Sequence, residues 1–522
     1  MGRKTTIEQK RVTQKLFSRF VVAWLCVMIE VLFVVQMTYL FAGFPTLLEI
    51  IIRILALFLT LGIFSQYRTA AMKIPWIILI MGFPVFGVVL YLLTGLNGTT
   101  KKMRRRFESV DEALLPFLNE EKSVRDALCE EDPHLANLSH YLMDYAGFPV
   151  YRNTELTFYP ETTLALNAQM EALEEAKDFI FLEYHAIENK QIWKPIQEIL
   201  EKKVQEGLDV RVFYDDVGSV YFVKKDFAKM LEAKGIRVKI FNPIRPWLRW
   251  FLNNRDHRKF TIIDGKTGFT GGFNLADKYF DLSPLEGHWK DCGMRLKGEA
   301  VRSMTAIFLE MWNAAQNKDE ERDQDFSRFL PEYSPALPAK GAFVQPYADS
   351  PLGNEHIGEN VYISLIEMAK DYIYFVTPYL IITDEMNYAL GMAAKRGVDV
   401  RIVTPSLPDK KLVFNVTRSY YAGLVRNGVR IYEYTPGFSH SKLCVSDDHT
   451  ATCGTINMDF RSLYHHFEDG CLVRDEEFAL SVKKDFLEMF AVSNEVTEDY
   501  RTGRSKSLRL GQLVLLFFAP LL

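Results

Sequence analysis

Two stretches of this chain carry the same spaced set of polar residues. His257, Lys259, Asp264, Gly271-Gly272 and Asn274 form the first, and His440, Lys442, Asp447, Gly454-Thr455 and Asn457 repeat it in identical register. On a strand, residues two apart point to one face, so His257 projects with Lys259 and His440 with Lys442. A single His-x-Lys pair is more often a solvated strand face than a site. Two copies with the same Asp and Asn offsets, each closing a matching repeat, make that bland reading untenable. The chemistry they fit is displacement at a phosphodiester. Two lysines and two Asn side chains can surround the non-bridging oxygens and stabilise the extra charge of the transition state. One imidazole can attack phosphorus while the other protonates the leaving alkoxide and then deprotonates an incoming alcohol. The lysines supply the positive charge, so no metal or other cofactor is expected, and the other histidines lack ligand spacing.

The remaining site candidates follow from these two sets. Asp264 and Asp447 belong to the repeated pattern and are counted with the catalytic His and Lys residues. Each lies five positions past its Lys and would face the other way, which favours tying down the following loop. Glu468, Asp291 and Glu183 lie near matching strand ends. A carboxylate bonded to an imidazole fixes its tautomer and supports the imidazolium, and Asp291 and Glu468 are expected in that orienting role. Gly272 and Thr455, next to the Asn residues, are placed with Asn274 and Asn457 as substrate-binding positions.

Both histidine segments end a run of alternating elements. The segments 179–185, 206–215 and 231–243, each with a short β-branched or aromatic run, recur as 372–380, 396–405 and 424–436. Amphipathic segments separate them, and Gly207, Gly235, Gly397 and Gly428 mark helix ends. This predicts an α/β fold with helix-covered sheets, built as two matching halves that pair as a pseudo-dimer. The charged, then Pro-rich segment from about Asp319 to Lys340 reads as the linker between them.

The first hundred residues differ. Three apolar runs, Phe20 to Phe41, Leu47 to Phe64 and Ile74 to Gly95, each approach the ~20 residues needed to cross a bilayer. Glu30 interrupts the first, Glu49 and Arg53 can pair within the second, and Gly82-Phe83-Pro84 sits mid-way along the third. Basic clusters lie before the first run and after the third, which an odd number of crossings cannot place on one side. Either one run is re-entrant, the third with its Gly82-Phe83-Pro84 being the candidate, or the first basic cluster departs from the positive-inside tendency, so two or three membrane helices are expected. Net charge is −4 over 522 residues, which gives no global pull toward nucleic acid. The six cysteines show no paired spacing and read as free thiols. Before His257 the first half inserts ten residues that interleave Arg245, Arg249 and Arg255 with Trp247, Trp250 and Phe251. Such a segment can bind nucleic acid, but beside apolar runs it better suits an anionic headgroup layer, with Arg255 as a substrate-binding candidate. The apolar tail from Leu510 is too short to span and reads as an interfacial anchor.

The doubled motif is the signature of the phospholipase D superfamily, and its surroundings resemble the bacterial cardiolipin synthase branch. Residues 74–95, the segment Arg418 to Lys442, the segment Gly454 to Glu468 and the C-terminal end carry the likeness. His466 and Thr455 depart from the usual pattern. The resemblance implies two phospholipase D-like αβα sandwich repeats preceded by N-terminal transmembrane helices, and adds Arg418 as a substrate-binding position. It implies transfer of a phosphatidyl group between two phosphatidylglycerol molecules at an anionic bilayer surface, with no nucleic-acid partner. The alternatives are transfer to water or another alcohol, as in phospholipase D or phosphatidylserine synthase, and a nucleic-acid phosphodiesterase. The expected organisation is a basic tail (1–19), membrane segments (20–95), a connector (96–150), the first repeat (151–320), a linker (321–340), the second repeat (341–505) and the apolar tail (506–522). A multi-pass cell-membrane protein with its catalytic part on the cytoplasmic face follows.

Overall fold

The structure, a computed structural model, describes residues 47–66, 69–92, 98–243, 254–282, 287–315, 322–323, 325–333, 341–353 and 355–501. The chain divides into two compact units, Met1–Asn97 and Gly98–Leu522.

In the first unit the second apolar run forms one helix, Leu47–Phe64. The third breaks at its centre into helices Ala70–Gly82 and Pro84–Leu90. Pro84 has no N–H to continue the ladder, and Phe83 before it adopts φ −134° and ψ 72°, outside the helical region. Gly87 permits the fold-back, since a Cβ there would lie 2.6 Å from Ile80 Cα. A small core of Ala56, Ile63, Ile80, Val88 and Tyr91 holds the three helices. The outer faces stay apolar, with Phe58, Phe64 and Phe83 more than half exposed. Among the described residues no helix is long and apolar enough to cross a membrane, which corrects the expectation of crossings by the second and third apolar runs. The expected crossing at residues 20–41 lies outside the described residues, as do residues 244–253 of the Arg-Trp insertion and the C-terminal tail.

The second unit contains both repeats. The first sheet runs Thr154–Tyr159, Gly293–Gly298, Thr267–Gly271, Lys259–Ile263, Phe179–Tyr184, Asp209–Asp215, Arg237–Phe241. The second runs Phe343–Asp349, His466–Arg474, Thr450–Gly454, Leu443–Ser446, Tyr372–Val376, Asp399–Pro405, Arg430–Tyr434, Ser493–Glu495. In each sheet three parallel strands, joined by helices, meet an antiparallel set that carries the motif. The outer antiparallel strands at 154–159, 293–298, 343–349 and 466–474 extend the pattern read from the sequence. Helices Trp193–Gln205 and Asp384–Lys395 end at Gly207 and Gly397, both at positive φ.

Aromatic and aliphatic residues of both repeats form one core, from Phe181 and Trp312 to Tyr374 and Phe467. Helix Val301–Ala314 is buried nearly all round and packs on Lys259–Ile263 of one sheet and Phe343–Asp349 of the other. Part of the segment expected as a linker also belongs here. Asp323 pairs with the buried Arg211 at 2.6 Å, and Phe329 enters the core.

Asp264 and Asp447 occupy the left-handed region, at φ 54° and 51°. Asp264 accepts from the N–H groups of Lys177, Asp178 and Phe179 at 2.8–2.9 Å. Asp447 does the same for Lys370, Asp371 and Tyr372 at 2.8–3.0 Å. These carboxylates tie the hairpin turn to the start of the central strand, which corrects their grouping with the catalytic residues. Replacing Asp264 with Ala should cost about 2–4 kcal/mol of stability, the scale of three bonds to a charged acceptor at a partly exposed turn. A lower thermal midpoint in detergent, with the chemistry of His257 and His440 intact in the folded fraction, checks this. An unchanged midpoint contradicts it.

Candidate active site

Each motif histidine is delivered by a strand that crosses to the other repeat. Arg255–Asp256 pairs in parallel with His466 and Phe467 of the second sheet. Gly437–Ser439 pairs in parallel with His288–Lys290 of the first. Both ladders continue by one bond into the histidine itself, His257 N–H to Phe467 O at 2.9 Å and His440 N–H to Lys290 O at 2.7 Å. The next residue on each partner strand is a carboxylate. His257 Nδ1 donates to Glu468 Oε2 at 2.8 Å, and His440 Nδ1 donates to Asp291 Oδ2 at 2.6 Å. Each Nε2 is left with its lone pair outward.

The surrounding groups hold the carboxylates. Thr455 Oγ1 donates to Glu468 Oε2 at 2.5 Å and Ser462 Oγ to Oε1 at 2.7 Å. On the other side Cys292 N–H donates to Asp291 Oδ1 at 2.9 Å. A Cβ at Gly272 would fall 2.0 Å from that oxygen, so the glycine makes room for it. The guanidinium of Arg258 bonds to Glu468 O at 3.2 Å and lies 5.5 Å from the Phe467 ring centre. Asp469 receives Lys259 N–H at 3.3 Å and Thr270 Oγ1 at 2.5 Å, a second tie across the halves. The Lys259 and Lys442 ammonium groups, both buried, reach back to the carbonyl oxygens of their own histidines.

The sequence of the family described as cardiolipin synthase, PLD-like domain matches residues 170–312 and 362–490, which span both motifs. A cardiolipin synthase of Halalkalibacterium halodurans is 32% identical over 91% of this chain and 93% of its own length. Cardiolipin synthase 2 of Bacillus cereus is 32% identical over 88% of each. The chain belongs to the cardiolipin synthase family of the phospholipase D superfamily. It is an enzyme of the phospholipase D type. An uncharacterized protein of Streptococcus mutans is 41% identical over 88% of this chain and 98% of its own. A solved structure of phosphatidylserine synthase from Haemophilus influenzae shares the fold, with TM-score 0.55, at 15% identity over 74% of this chain and 98% of that one.

Within this family site the two histidines sit in different surroundings. The His257 ring is flanked by His185 at 5.0 Å and His466 at 5.5 Å between ring centres. Tyr279 and Trp289, each 5.3 Å away, and Phe438 at 6.1 Å enclose His440. Trp289 and His466 hold the same place in the two repeats, two residues before the carboxylate and so on its face. Aligning His288-Trp289-Lys290-Asp291 with His465-His466-Phe467-Glu468 is the signal that finds them. His185 fixes its ring by an Nδ1 bond to Asp256 O at 2.6 Å and carries no repeat signal, since Pro378 stands opposite.

Burial dominates the electrostatics. It pushes His257 down to about 3, against the pull of Glu468, and holds His440 well below the ordinary range with help from Lys442 and Lys259. Both imidazoles are neutral before substrate binds. Burial raises Asp291 to about 6, with Lys442 opposing it. Glu468 behaves otherwise: burial opposes its charge, but the imidazole beside it keeps it well below the usual range. Burial lowers Lys442 to about 7, with Asp291 opposing and Lys259 reinforcing.

Four substrate-binding expectations need correction. Arg255 is buried against Asp215 at 3.3 Å and Asn242 O at 3.1 Å, so its charge is used inside the fold. Arg418 forms a two-point pair with Glu433, at 2.7 and 2.6 Å. Gly272 and Thr455 serve the carboxylates, as described above. Asn274 accepts from Ala186 N–H at 2.9 Å and donates to the Tyr279 hydroxyl at 2.8 Å, whereas Asn457 keeps a buried Oδ1 without a partner. Glu183 lies buried 3.9 Å from Arg258 and touches neither histidine. His257, His466 and Glu468 bring donor atoms within 4.8 Å of one another, as a metal site would. Both Glu468 oxygens already accept from His257, Thr455 and Ser462, whereas both His466 ring nitrogens are buried without a hydrogen-bond partner.

A pH profile follows from these directions. Asp291 orients His440 only when ionised, so kcat/KM should fall as pH drops below about 6. Lys442 stabilises added negative charge only when protonated, so kcat/KM should fall as pH rises through about 7. A narrow bell in log kcat/KM is expected, with the alkaline limb moved upward in Lys442→Arg. A flat profile from pH 5 to 9 contradicts it.

Proposed function

We propose that this enzyme transfers a phosphatidyl group from one phosphatidylglycerol to another and releases glycerol, through a phosphohistidine on His257. The observation that carries the reading is the crossed pair of His–carboxylate bonds, on complete motifs, in a chain whose relatives are named cardiolipin synthase. Two neutral imidazoles with Nε2 unengaged suit attack and proton transfer at one phosphate.

The unequal carboxylates assign the roles. Glu468 stays ionised with three donors on it, which suits the fixed cation of a phosphorylated imidazole. Asp291, raised to about 6, suits a His440 that must gain and lose a proton in each half-reaction. In the first half, the His257 Nε2 lone pair forms the N–P bond. The P–O bond to glycerol breaks, and the alkoxide takes a proton from His440, protonated beside the bound phosphate anion. In the second half, the acceptor hydroxyl attacks phosphorus and passes its proton to His440. The N–P bond breaks and His257 returns to its neutral form. Lys259 and Lys442 counter the charge of each transition state.

Attachment to an anionic bilayer is part of the proposal. The exposed Phe58, Phe64 and Phe83 of the first unit need an apolar surround, and the basic Arg-Trp segment suits headgroups. The catalytic part then works on the cytoplasmic face.

Reconstituted enzyme given phosphatidylglycerol alone should yield cardiolipin and glycerol in equal amounts, with chelator present throughout. Acid-quenched mass spectrometry with a donor bearing a good leaving group should find the adduct on His257 in the His440→Ala protein and none in His257→Ala. Phosphatidic acid as sole product would replace transfer by hydrolysis, and an adduct on His440 would reverse the roles.

A further inference from the structure

We propose that Lys278, with Lys410 beyond it, forms a second anion subsite on the His440 side of the active site, which receives the phosphate of the acceptor. This deepens the reading above, resting on its assignment of His440 as the group that deprotonates the acceptor.

The geometry is that of a cation held out over an aromatic floor. The Lys278 ammonium lies 4.6 Å from the Trp289 ring centre and 5.0 Å from that of Tyr279, the two rings that flank His440. Its charge is felt at His440 itself. Lys410, exposed, lies 5.5 Å over Tyr379, whose ring neighbours Phe438 at 6.5 Å, and Phe438 in turn neighbours His440. Among the described residues neither ammonium makes a hydrogen bond or an ion pair. The nearby carboxylates have other donors. Asp281 takes the His288 ring and Trp289 N–H at 2.6 and 2.7 Å, and Asp409 takes the Tyr379 hydroxyl at 2.5 Å.

The two motif lysines already answer the reacting phosphate, so a third cation one ring away answers a different anion. Among the described residues the His257 side has no equivalent. Its flanking groups are His185 and His466, and at the repeat position of Trp289 stands His466. An acceptor that carries its own phosphate one glycerol unit from the attacking hydroxyl would place that anion past His440, over Trp289 and Tyr279. A cation stacked on rings loses part of its hydration and keeps its remaining N–H groups directed outward, which favours a phosphate oxygen over bulk water. Water or glycerol has no charge to place there.

The test uses the full-length enzyme in neutral detergent micelles with phosphatidylglycerol as donor and two labelled soluble acceptors in one tube, glycerol and glycerol phosphate. The ratio of their phosphatidyl products is read, so the folded fraction cancels. The wild type should prefer glycerol phosphate. Lys278→Gln should lower the ratio about ten-fold, the scale of one charge-assisted hydrogen bond. Lys278→Glu should lower it further, Lys278→Arg should largely keep it, and Lys410→Gln should lower it less than Lys278→Gln. A ratio unmoved in both Gln variants overturns the subsite, even if total turnover falls. Cardiolipin synthesis is scored separately. A wild type that makes no cardiolipin yet loses charge preference in Lys278→Gln would reject the proposed reaction and keep the subsite. Cardiolipin formed with an unmoved ratio would do the reverse.

Discussion

Two short parallel pairings between the repeats are the constraint on which the site depends. Arg255–Asp256 lies along His466–Phe467, and Gly437–Ser439 lies along His288–Lys290. Each pairing fixes a histidine backbone one bond from a carboxylate of the other half. Neither repeat holds a complete His–carboxylate pair by itself. This explains why the two sheets share one core and why the helix Val301–Ala314 is wedged between them. A small rotation of one half against the other would break both imidazole bonds at once.

The same exchange lets two copies of one motif diverge. The carboxylates differ in type, Glu468 against Asp291, and so do their supports, Thr455 and Ser462 against the Cys292 N–H. Gly272 and Thr455 occupy matching positions and answer opposite needs: space for a short, close Asp on one side, a donor for a Glu on the other. The rings differ as well, histidines beside His257 and aromatic residues beside His440. Charge retention on one side and proton exchange on the other is the physical basis of the proposed division between nucleophile and acid.

Much of this was legible in the sequence because it was written twice. The parallel strands, the helices between them and the His-Lys hairpins follow from short-range periodicity and from the matched offsets. Strand parity also places Asp264 and Asp447 away from the His-Lys face, where they cap three N–H groups each. Long-range partners were not legible. Nothing local to Arg255 or Arg418 announces Asp215 or Glu433, so two buried or paired arginines read as ligands for a substrate. That Glu468 serves His257 rather than His440 depends on a parallel pairing across some 210 residues of chain, which no periodicity encodes. The apolar run 74–95 was legible in part: its hydropathy is continuous and suggests a span, while Gly82-Phe83-Pro84 marks the point where Pro84 breaks the backbone ladder.

The central claim is that each histidine depends on the opposite half's carboxylate, and burst kinetics of two amide variants test it most directly. With a donor bearing a good leaving group, Glu468→Gln should slow appearance of the His257 adduct, because the Nδ1 bond that fixes the attacking tautomer is weakened. Asp291→Asn should leave that burst near the wild-type rate and slow the transfer to the acceptor that follows. The opposite pattern, a burst lost in Asp291→Asn and retained in Glu468→Gln, would mean that the carboxylates act within their own halves, and would contradict the account.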